Sequence, residues 1–328
     1  MTSFLAVEAT GLVKHYGETV ALSGVDIEVP TGTVTGVLGP NGAGKTTVVR
    51  ILTTLAQATA GTAMVAGFDV ARHPTEVRRR IGLAAQDATV DPLLTGHENL
   101  VMNGELHQLS GRAAKARSRE LLEQFSLADA GDRVSSGYSG GMRRRLDLAA
   151  TLVGRPSVLF LDEPTTGLDP RARTELWGVL ETLVGDGTSI LLTTQYLDEA
   201  DRLADDILVV DHGRVIARGD ARSLKRQVGG DNIGVTINDP SQLDEVAAIL
   251  ARVTGTRPVV DRPARTATSP TTEGVAALAS VANALADNRV AVEDLSLRQP
   301  TLDEVFLTLT GAPAEADQPS DEAEEAHR

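Results

Sequence analysis

The first 225 residues alternate between short apolar segments and segments with a helical period. Residues 25–29 alternate apolar and polar side chains, which predicts a strand with one buried face. The segments 34–38, 158–161 and 189–193 are mainly apolar, which is typical of central strands in a parallel sheet. We therefore predict an α/β domain over residues 1–225.

Between residues 95 and 153 the strand pattern gives way to a helical one. The predicted helices cover residues 96–109, 112–125 and 141–153. Because strand patterns resume at residue 158, we predict a helical subdomain, about residues 95–153, inserted into the sheet domain.

A second, smaller domain is predicted over residues 226–311. Its strands and helices follow the order βαββαβα, which favours an α+β, ferredoxin-like fold. The elements of this prediction are strands at 232–237 and 290–297, a hairpin over 257–268, and helices at 240–253, 274–286 and 301–310. Residues 312–328 are acidic and lack apolar periodicity, which predicts a disordered tail.

Composition and charge narrow the classes of function. The formal net charge of −14 at pH 7 disfavours nucleic acid and anionic lipid as direct partners, because both bind through Lys and Arg. No stretch approaches the roughly 18 apolar residues of a membrane-spanning helix, and the N-terminal residues lack the pattern of a signal peptide. We expect a cytoplasmic chain that reaches a membrane only through a partner. The absence of cysteine excludes disulfides and thiolate chemistry.

A glycine-rich loop follows the predicted strand at 34–38. It matches the phosphate-loop pattern G-x-x-x-x-G-K-[ST] and consists of Gly39, Pro40, Asn41, Gly42, Ala43, Gly44, Lys45 and Thr46. Its glycines let backbone N–H groups surround a phosphate, and the helix predicted over 45–55 directs its positive end at the anion. We predict that Lys45 binds the β- and γ-phosphates of a nucleotide, Thr46 binds Mg²⁺, and Thr47 adds a phosphate contact. A chance match in a glycine-rich turn is disfavoured by the strand and helix on either side.

Two adjacent carboxylates end the apolar strand at 158–161. Asp162 is placed to hold Mg²⁺ through water, and Glu163 to polarise the water that attacks the γ-phosphate. Adjacent acids usually form a solvated strand end. Their position after a buried strand, downstream of a phosphate loop, favours the catalytic interpretation.

The segment Tyr138-Ser139-Gly140-Gly141-Met142 precedes an apolar helix and lies between the phosphate loop and the paired carboxylates. It resembles the signature sequence of ATP-binding cassette proteins, with Tyr138 and Met142 as variants at its two ends. A Ser-Gly-Gly helix cap alone is weak evidence, but in this order the motifs are specific. The resemblance implies a P-loop NTPase cassette with a mostly parallel sheet, N-terminal antiparallel strands and an inserted helical subdomain.

Three further residues match motifs of that family. Tyr16 corresponds to the aromatic residue that stacks on adenine, although a lone tyrosine is more often a core or surface residue. Gln86 corresponds to the glutamine that senses Mg²⁺ and water and connects to the membrane partner. Asp169, within 167–170, corresponds to the polar residue that contacts the opposite subunit. A plain turn that begins a helix at Pro170 is the alternative.

The switch position departs from the family's usual histidine. Gln195 stands there, after the apolar strand at 189–193. Glutamine can donate a hydrogen bond to the γ-phosphate but cannot carry a proton or a positive charge. We therefore predict intact ATP binding and slower turnover, with Glu163 as the main catalytic group; whether Gln195 slows or abolishes hydrolysis stays open.

The resemblance extends to the daunorubicin-resistance type of drug-exporter ATPase, in which glutamine at the switch position is typical. The segments that carry it are 138–148, 160–171, 191–201, 211–217 and 302–311. It implies a cytoplasmic subunit that joins a separate, multi-spanning membrane permease. Such a subunit powers the export of an amphipathic drug, natural product or lipid.

The family resemblance also implies that each active site is shared between two copies of the chain in an ATP-dependent, head-to-tail dimer. One copy would supply Lys45, Thr46, Gln86, Asp162, Glu163 and Gln195, and the other would supply Ser139, Gly140 and Gly141. Residues 87–100 are predicted to dock on the membrane subunit. The run Arg143-Arg144-Arg145 is interpreted as a solvated helix face, with a nucleotide or partner contact as the alternative.

Two other functions stay open. A non-hydrolysing ATP-binding regulator is compatible with Gln195, since glutamine can bind the γ-phosphate without supporting turnover. A soluble translation or DNA factor is disfavoured by the single set of motifs, by the absence of a long coiled-coil insertion, and by the net charge of −14.

Overall fold

The computed structural model describes residues 4–85, 89–228 and 231–310. Its contacts divide the chain into two compact units, of which the first runs to Ala221 and the second begins at Arg222. None of the helices within the described ranges is both long and apolar enough to cross a membrane.

Two sheets form the framework of the first unit. Their strands are β1 (Leu5–Tyr16), β2 (Thr19–Pro30), β3 (Val34–Leu38), β4 (Ala60–Val65), β5 (Phe68–Asp69), β6 (Ile81–Ala84), β7 (Val158–Asp162), β8 (Ser189–Thr194), β9 (Asp206–Asp211) and β10 (Arg214–Gly219). Strands β2, β1, β4 and β5 pair in that order as an antiparallel sheet. The others pair in the order β10-β9-β3-β8-β7-β6, and all neighbours are parallel except β10 and β9. The predicted combination of a mostly parallel sheet with N-terminal antiparallel strands is confirmed.

Helices connect these strands along the chain. They are α1 (Lys45–Leu52), α2 (Pro74–Arg78), α3 (Gly96–Leu106), α4 (Gly111–Gln124), α5 (Gly140–Thr151), α6 (Pro170–Gly185) and α7 (Leu197–Leu203). Within the predicted helical region, α3, α4 and α5 begin after the N-caps Thr95, Ser110 and Ser139. Each N-cap hydroxyl accepts a hydrogen bond from a backbone N–H that has no partner within the helix, which sets where the helix starts.

Helix α1 is shorter than predicted. It ends at Leu52 rather than Leu55, because Thr54 has a φ of 66°, a left-handed conformation that an α-helix does not contain. The Thr53 hydroxyl donates a hydrogen bond to the Val49 carbonyl at 2.8 Å. The last predicted turn is therefore wrong.

Side chains of the parallel sheet alternate between two hydrophobic cores. Along β7, Val158 and Phe160 join the core that includes residues of β1, β2 and α1, whereas Leu159 and Leu161 join the core that includes residues of α5 and α6. All four are fully buried. Burial of each such side chain contributes roughly 1.5–3 kcal/mol. Because both faces are covered, the strand ends, where polar residues begin, are held in fixed positions.

The second unit contains a four-stranded antiparallel sheet. Its elements are α8 (Ala221–Val228), β11 (Asp231–Ile237), α9 (Leu243–Thr254), β12 (Val259–Asp261), β13 (Thr266–Thr271), α10 (Val275–Asp287), β14 (Val292–Arg298) and α11 (Leu302–Thr310). From β11 onward they follow the order βαββαβα. The strands pair in the order β12-β13-β11-β14, that of a split βαβ arrangement. Residues 312–328, predicted as a tail, lie outside the described residues.

A separate core holds the second unit together. Ile233, Val235 and Ile237 alternate along β11 and cluster with Val246 of α9 and Val281 of α10. The period of two in the strand and of three to four in the helices gives each element one apolar face toward this core.

Gly61 makes a close backbone contact in the antiparallel sheet. Its φ is 87°, and a Cβ at this position would lie 2.3 Å from the Gly11 carbonyl oxygen. We expect Gly61→Ala to destabilise the fold by about 2 kcal/mol or more in urea denaturation. Gly178→Ala, in α6, is the control, because a Cβ there meets no heavy atom within 4 Å. This control is expected to stabilise by about 0.4–1 kcal/mol. Equal stability of Gly61→Ala and the wild-type protein would contradict the contact.

Candidate functional site

The glycine-rich loop lies between the end of β3 and the start of α1. A Cβ on Gly39 would lie 2.3 Å from the Val210 carbonyl oxygen, and one on Gly44 would lie 2.6 Å from the Ala21 carbonyl oxygen. Gly44 is also the N-cap of α1, with a φ of 106°. The loop therefore requires glycine at both positions. It presents the first N–H groups of α1 as donors for an anion.

Lys45 is buried beneath this loop with its ammonium group fully engaged. Its Nζ donates hydrogen bonds to the carbonyls of Gly39 at 2.8 Å and Pro40 at 3.1 Å. It also forms an ion pair with Glu163 Oε1 at 3.1 Å, with side-chain exposures of 4% and 10%. Tertiary folding thus brings the predicted phosphate-binding lysine and the predicted catalytic carboxylate into direct contact.

Oxygen atoms cluster beside this ion pair. Asp162 Oδ1 accepts hydrogen bonds from Thr46 Oγ1 at 3.3 Å and from Thr193 Oγ1 at 2.5 Å. The Glu163 N–H bonds to the Thr193 carbonyl at 3.2 Å. Carboxylate and hydroxyl oxygens are the ligands that Mg²⁺ prefers, so this donor set fits the predicted ion. Thr193 was not identified from the sequence, because it looks like an ordinary residue of an apolar strand.

Glu163 has an unusual backbone conformation. Its φ of 48° lies in the left-handed region, which a residue with a Cβ rarely adopts. Such conformations persist where the surrounding structure holds them, often at functional sites. Here the Glu163 N–H is held by Thr193, and the side chain is held by Lys45.

Gln195 follows the end of β8, directly after Thr194, whose carbonyl accepts a hydrogen bond from Gly39 N–H at 3.2 Å. Within the described residues, the buried Gln195 Oε1 accepts no hydrogen bond. A buried acceptor without a donor is costly and points to a missing ligand or water. Gln86 lies outside the described residues, which resume at Thr89.

Four further predicted site residues lie at exposed positions: Tyr16, Ser139, Gly140 and Asp169. Ser139 caps α5 and accepts a hydrogen bond from Met142 N–H at 3.3 Å, and Gly140 beside it is exposed. Asp169 caps α6 and accepts from Ala172 N–H at 2.8 Å, so the plain-turn interpretation has a structural basis. Tyr16 is 46% exposed and carries Lys14 Nζ at 4.8 Å from its ring centroid. The contacts of these residues within one chain do not test their predicted roles in nucleotide binding.

Tyr138 and Arg144 have roles that the sequence did not indicate. Tyr138 is buried, and its hydroxyl donates to the Ala130 carbonyl at 2.6 Å. The side chain of Arg144 is only 10% exposed and bonds to strand-end carbonyls, so the solvated-face interpretation is wrong for this residue. The available signal was its spacing, since Arg144 lies one helical turn before the buried Leu148.

The loop, the ion pair and the oxygen cluster together define a nucleotide site of the P-loop class. The family described as ABC transporter matches residues 22–166, and the relatives below match over most of their lengths. The chain belongs to the ATP-binding cassette (ABC) transporter family and is an ATP-binding ATPase. The class predicted from the motifs is confirmed.

Three of its similar relatives are drug-resistance proteins. The daunorubicin resistance ATP-binding protein DrrA2 of Streptomyces coeruleorubidus is 56% identical over 93% of this chain and 95% of its own. The daunorubicin/doxorubicin resistance ATP-binding protein DrrA of Streptomyces peucetius is 48% identical over 98% and 97%. The doxorubicin resistance ATP-binding protein DrrA of Mycobacterium tuberculosis is 45% identical over 95% and 96%.

Solved cassettes share the fold. The ATP-binding subunit of an ABC transporter is 27% identical with a TM-score of 0.61, covering 68% of this chain and 92% of that chain. A dimeric, post-hydrolysis cassette bound to ADP and Pi is 25% identical with a TM-score of 0.60, covering 65% and 98%. Both the cassette fold and the drug-exporter resemblance predicted from sequence are confirmed.

Glu199, on α7, is buried close to the end of β8. Its Oε1 accepts a hydrogen bond from Trp177 Nε1 at 3.2 Å. Burial raises the pKa of the Glu199 carboxyl, and the nearby Thr194 and Thr165 hydroxyls and the hydrogen bond from Trp177 only partly offset the effect. The folded protein therefore holds this proton to a higher pH than the unfolded chain does.

This raised pKa predicts a pH-dependent loss of stability. As pH rises above the unfolded pKa of Glu199, the unfolded state releases a proton that the folded state retains, so stability falls toward the folded pKa. Glu199→Gln keeps an acceptor for Trp177 but cannot titrate. We expect the melting temperature of Glu199→Gln to rise relative to that of the wild type as pH increases from 5 to 8. Unfolding is followed by the fluorescence of Trp177, the single tryptophan. Glu123→Gln, at an exposed position, is the control. A difference that stays constant with pH would contradict the prediction.

Proposed function

We propose that this chain is the ATP-hydrolysing subunit of an exporter, held at the cytoplasmic face of the membrane by a separate membrane subunit. The proposed cargo is an amphipathic drug, natural product or lipid. The observation that carries the proposal is the contact between Lys45 and Glu163 at the phosphate loop. Similarity to resistance proteins over at least 93% of the chain supports the cargo class.

In this proposal the phosphate loop holds the β- and γ-phosphates of ATP. The N–H groups at the start of α1 and the Lys45 ammonium supply the positive charge, with Thr47 adding a contact. Tyr16 stacks on adenine. Its ring is 46% exposed, so adenine can replace Lys14 Nζ on the ring face. Thr46, Asp162 and Gln86 would hold Mg²⁺, which neutralises phosphate charge and orients the phosphate oxygens when bound.

Glu163 serves as the general base. A phosphate that binds Lys45 competes with Glu163 for the same ammonium group, because both are anions at one 3.1 Å contact. Once released from Lys45, the carboxylate can accept a proton from the attacking water. ATP binding and exposure of the base are thus linked through a single lysine.

Gln195 completes the polar lining. Its Nε2 can donate to the γ-phosphate, and its buried Oε1 can accept a hydrogen bond from the attacking water, which would satisfy an acceptor that has no protein donor among the described residues. Because glutamine orients water without taking up a proton, it supports turnover only together with Glu163.

The active site is completed by a second copy of the chain. The start of α5 contains Ser139, Gly140 and Gly141. Backbone N–H groups at a helix N-terminus that lack a partner within the helix can donate hydrogen bonds to an anion. The exposure of Ser139 and Gly140 leaves them free to reach the phosphate held by the other copy, with Asp169 at the same contact. ATP then joins the two copies, and hydrolysis releases them.

The membrane subunit docks along residues 87–100, of which 89–100 are described. Leu93 supports this assignment, because it is 81% exposed although apolar. Beside this segment, a cleft of about 290 Å³ is lined by Thr89, Leu55 and Asn103, among others. A segment that exposes an apolar side chain at Leu93 and borders a cleft at Thr89 suits a helix from a partner.

A non-hydrolysing regulator is the second candidate, favoured by Gln195 in place of histidine. The two functions predict different effects of substituting Glu163, because the substitution reduces ATP turnover only in a protein that hydrolyses ATP. A nucleic-acid factor is disfavoured by the net charge of −14.

Glu163→Gln tests the proposed chemistry. With its membrane subunit present, we expect the variant to bind ATP, lose turnover by about 100-fold or more, and accumulate as an ATP-bound dimer. Wild type and Glu163→Gln would be compared by phosphate release and by size-exclusion chromatography in MgATP. If the wild-type protein binds ATP and never turns over, the regulator interpretation holds instead.

Leu93→Asp tests the docking surface. We expect loss of co-purification with the membrane subunit and loss of drug resistance in cells, while ATP binding by the purified chain is unchanged. Val259→Asp is the matched control, since Val259 is 73% exposed in the second unit, far along the chain from residues 87–100. Normal export by Leu93→Asp would contradict this docking surface.

A further inference from the structure

Arg144 connects the signature helix to the carboxyl ends of β7 and of β6, the edge strand beside it. It lies on α5, and its Nη1 donates to the carbonyl of Ala85, at the end of β6, at 2.7 Å. Its Nε donates to the Pro164 carbonyl at 2.8 Å, and its Nη2 donates to the carbonyls of Asp162 and Glu163 at 3.3 Å each. One guanidinium thus holds the backbone on both sides of the Glu163 side chain.

Asp147, on the same face of α5, holds the chain on the far side of residues 86–88. Its Oδ1 accepts hydrogen bonds from the Thr89 N–H at 2.7 Å and the Thr89 hydroxyl at 2.6 Å. Its Oδ2 lies 3.5 Å from Arg144 Nη1. Residues Ala85 and Thr89, which bracket Gln86, are therefore both bonded to one helix.

These two charges are kept out of water. The side chains of Arg144 and Asp147 are 10% and 0% exposed. Burial lowers the pKa of Arg144, and the charges of Asp147, Glu199 and Asp162 oppose the shift. A buried ion pair contributes little net stability, because desolvation offsets the Coulomb attraction. What it contributes here is geometry, since the planar fork of arginine donates in fixed directions.

The neighbouring arginines have no such arrangement. Arg143 is exposed, and Arg145 pairs with Glu175, whose side chain is 41% exposed. The three consecutive residues therefore differ in environment, which makes Arg143 a matched control for Arg144.

We propose that Arg144 and Asp147 are positioning residues that join the signature helix to the Glu163 backbone and to both neighbours of the 86–88 segment. A displacement of Ser139 at the start of α5, when a second copy closes on it, is then transmitted to the catalytic carboxylate and to the backbone at Ala85 and Thr89 as one movement. This inference rests on the proposed roles of Glu163 and Ser139.

Arg144→Gln tests the connection in the full chain with its membrane subunit. We expect kcat for ATP hydrolysis to fall by at least about tenfold, because small displacements of a catalytic group have effects of this size. KM for ATP should stay within about twofold, since the hydrogen bonds of Arg144 go to carbonyls at the ends of β6 and β7. Arg143→Gln should change neither constant, and Arg144→Lys, which keeps the charge but not the fork, should recover part of the loss.

Hydrogen exchange supplies a second readout that a global loss of stability does not mimic. In Asp147→Ala the Thr89 amide loses its acceptor, so we expect faster exchange in peptides that contain Thr89 and unchanged exchange in β11 of the second unit. Asp147→Asn keeps Oδ1 as an acceptor and should preserve that protection, while kcat falls because the amide faces Arg144 with a donor.

The outcomes separate the connection from the active-site assignment. If Arg144→Gln keeps kcat within about twofold of the wild type, or only lowers the melting temperature, the connection is wrong. If Arg144→Gln does not fold, Arg144→Lys and Asp147→Asn decide by the same criterion. If Glu163→Gln retains turnover, the proposed function fails whatever Arg144 does. Loss of turnover in Glu163→Gln together with a normal Arg144→Gln overturns the connection alone.

Discussion

The parallel sheet, buried on both faces, is the constraint on which the site depends. β3, β7 and β8 are adjacent and parallel, so their carboxyl ends meet at one edge. Each carries apolar side chains into two cores, which fix the position of its carboxyl end. The phosphate loop, the Asp162–Glu163 pair and Gln195 follow these three ends. Their proximity therefore results from packing of the sheet rather than from contacts among the polar residues themselves.

Buried charge organises that edge. Lys45 has almost no access to water, and the anion that neutralises it is the carboxylate proposed to act as base. A phosphate that replaces Glu163 at Lys45 keeps the lysine compensated and frees the carboxylate in the same exchange. The left-handed backbone at Glu163 directs its side chain to this position and is held there by Thr193.

A second set of buried charges extends from this edge to the surface. Through Arg144 and Asp147, α5 bonds to strand-end carbonyls and to Thr89, while its first turn exposes Ser139. The helix has one end at the proposed contact with a second copy and its middle at the catalytic strand ends. Hydrophobic packing alone would hold the helix against the sheet, but directional bonds fix its position along the strand ends.

The sequence by itself determined the class of protein, because phosphate binding depends on short contiguous patterns: the loop at 39–46, the acids after an apolar strand, and the capped segment at 138–142. Strand and helix periods also predicted the order of elements in both units. Only the tertiary structure decided that Lys45 pairs with Glu163, that Thr54 ends α1, and that Arg144 is buried while Arg143 is exposed. These features depend on which groups meet across the sheet and on how much water reaches them. Local spacing encodes neither of them, because the three consecutive arginines are chemically identical and differ only in the surface that each one contacts.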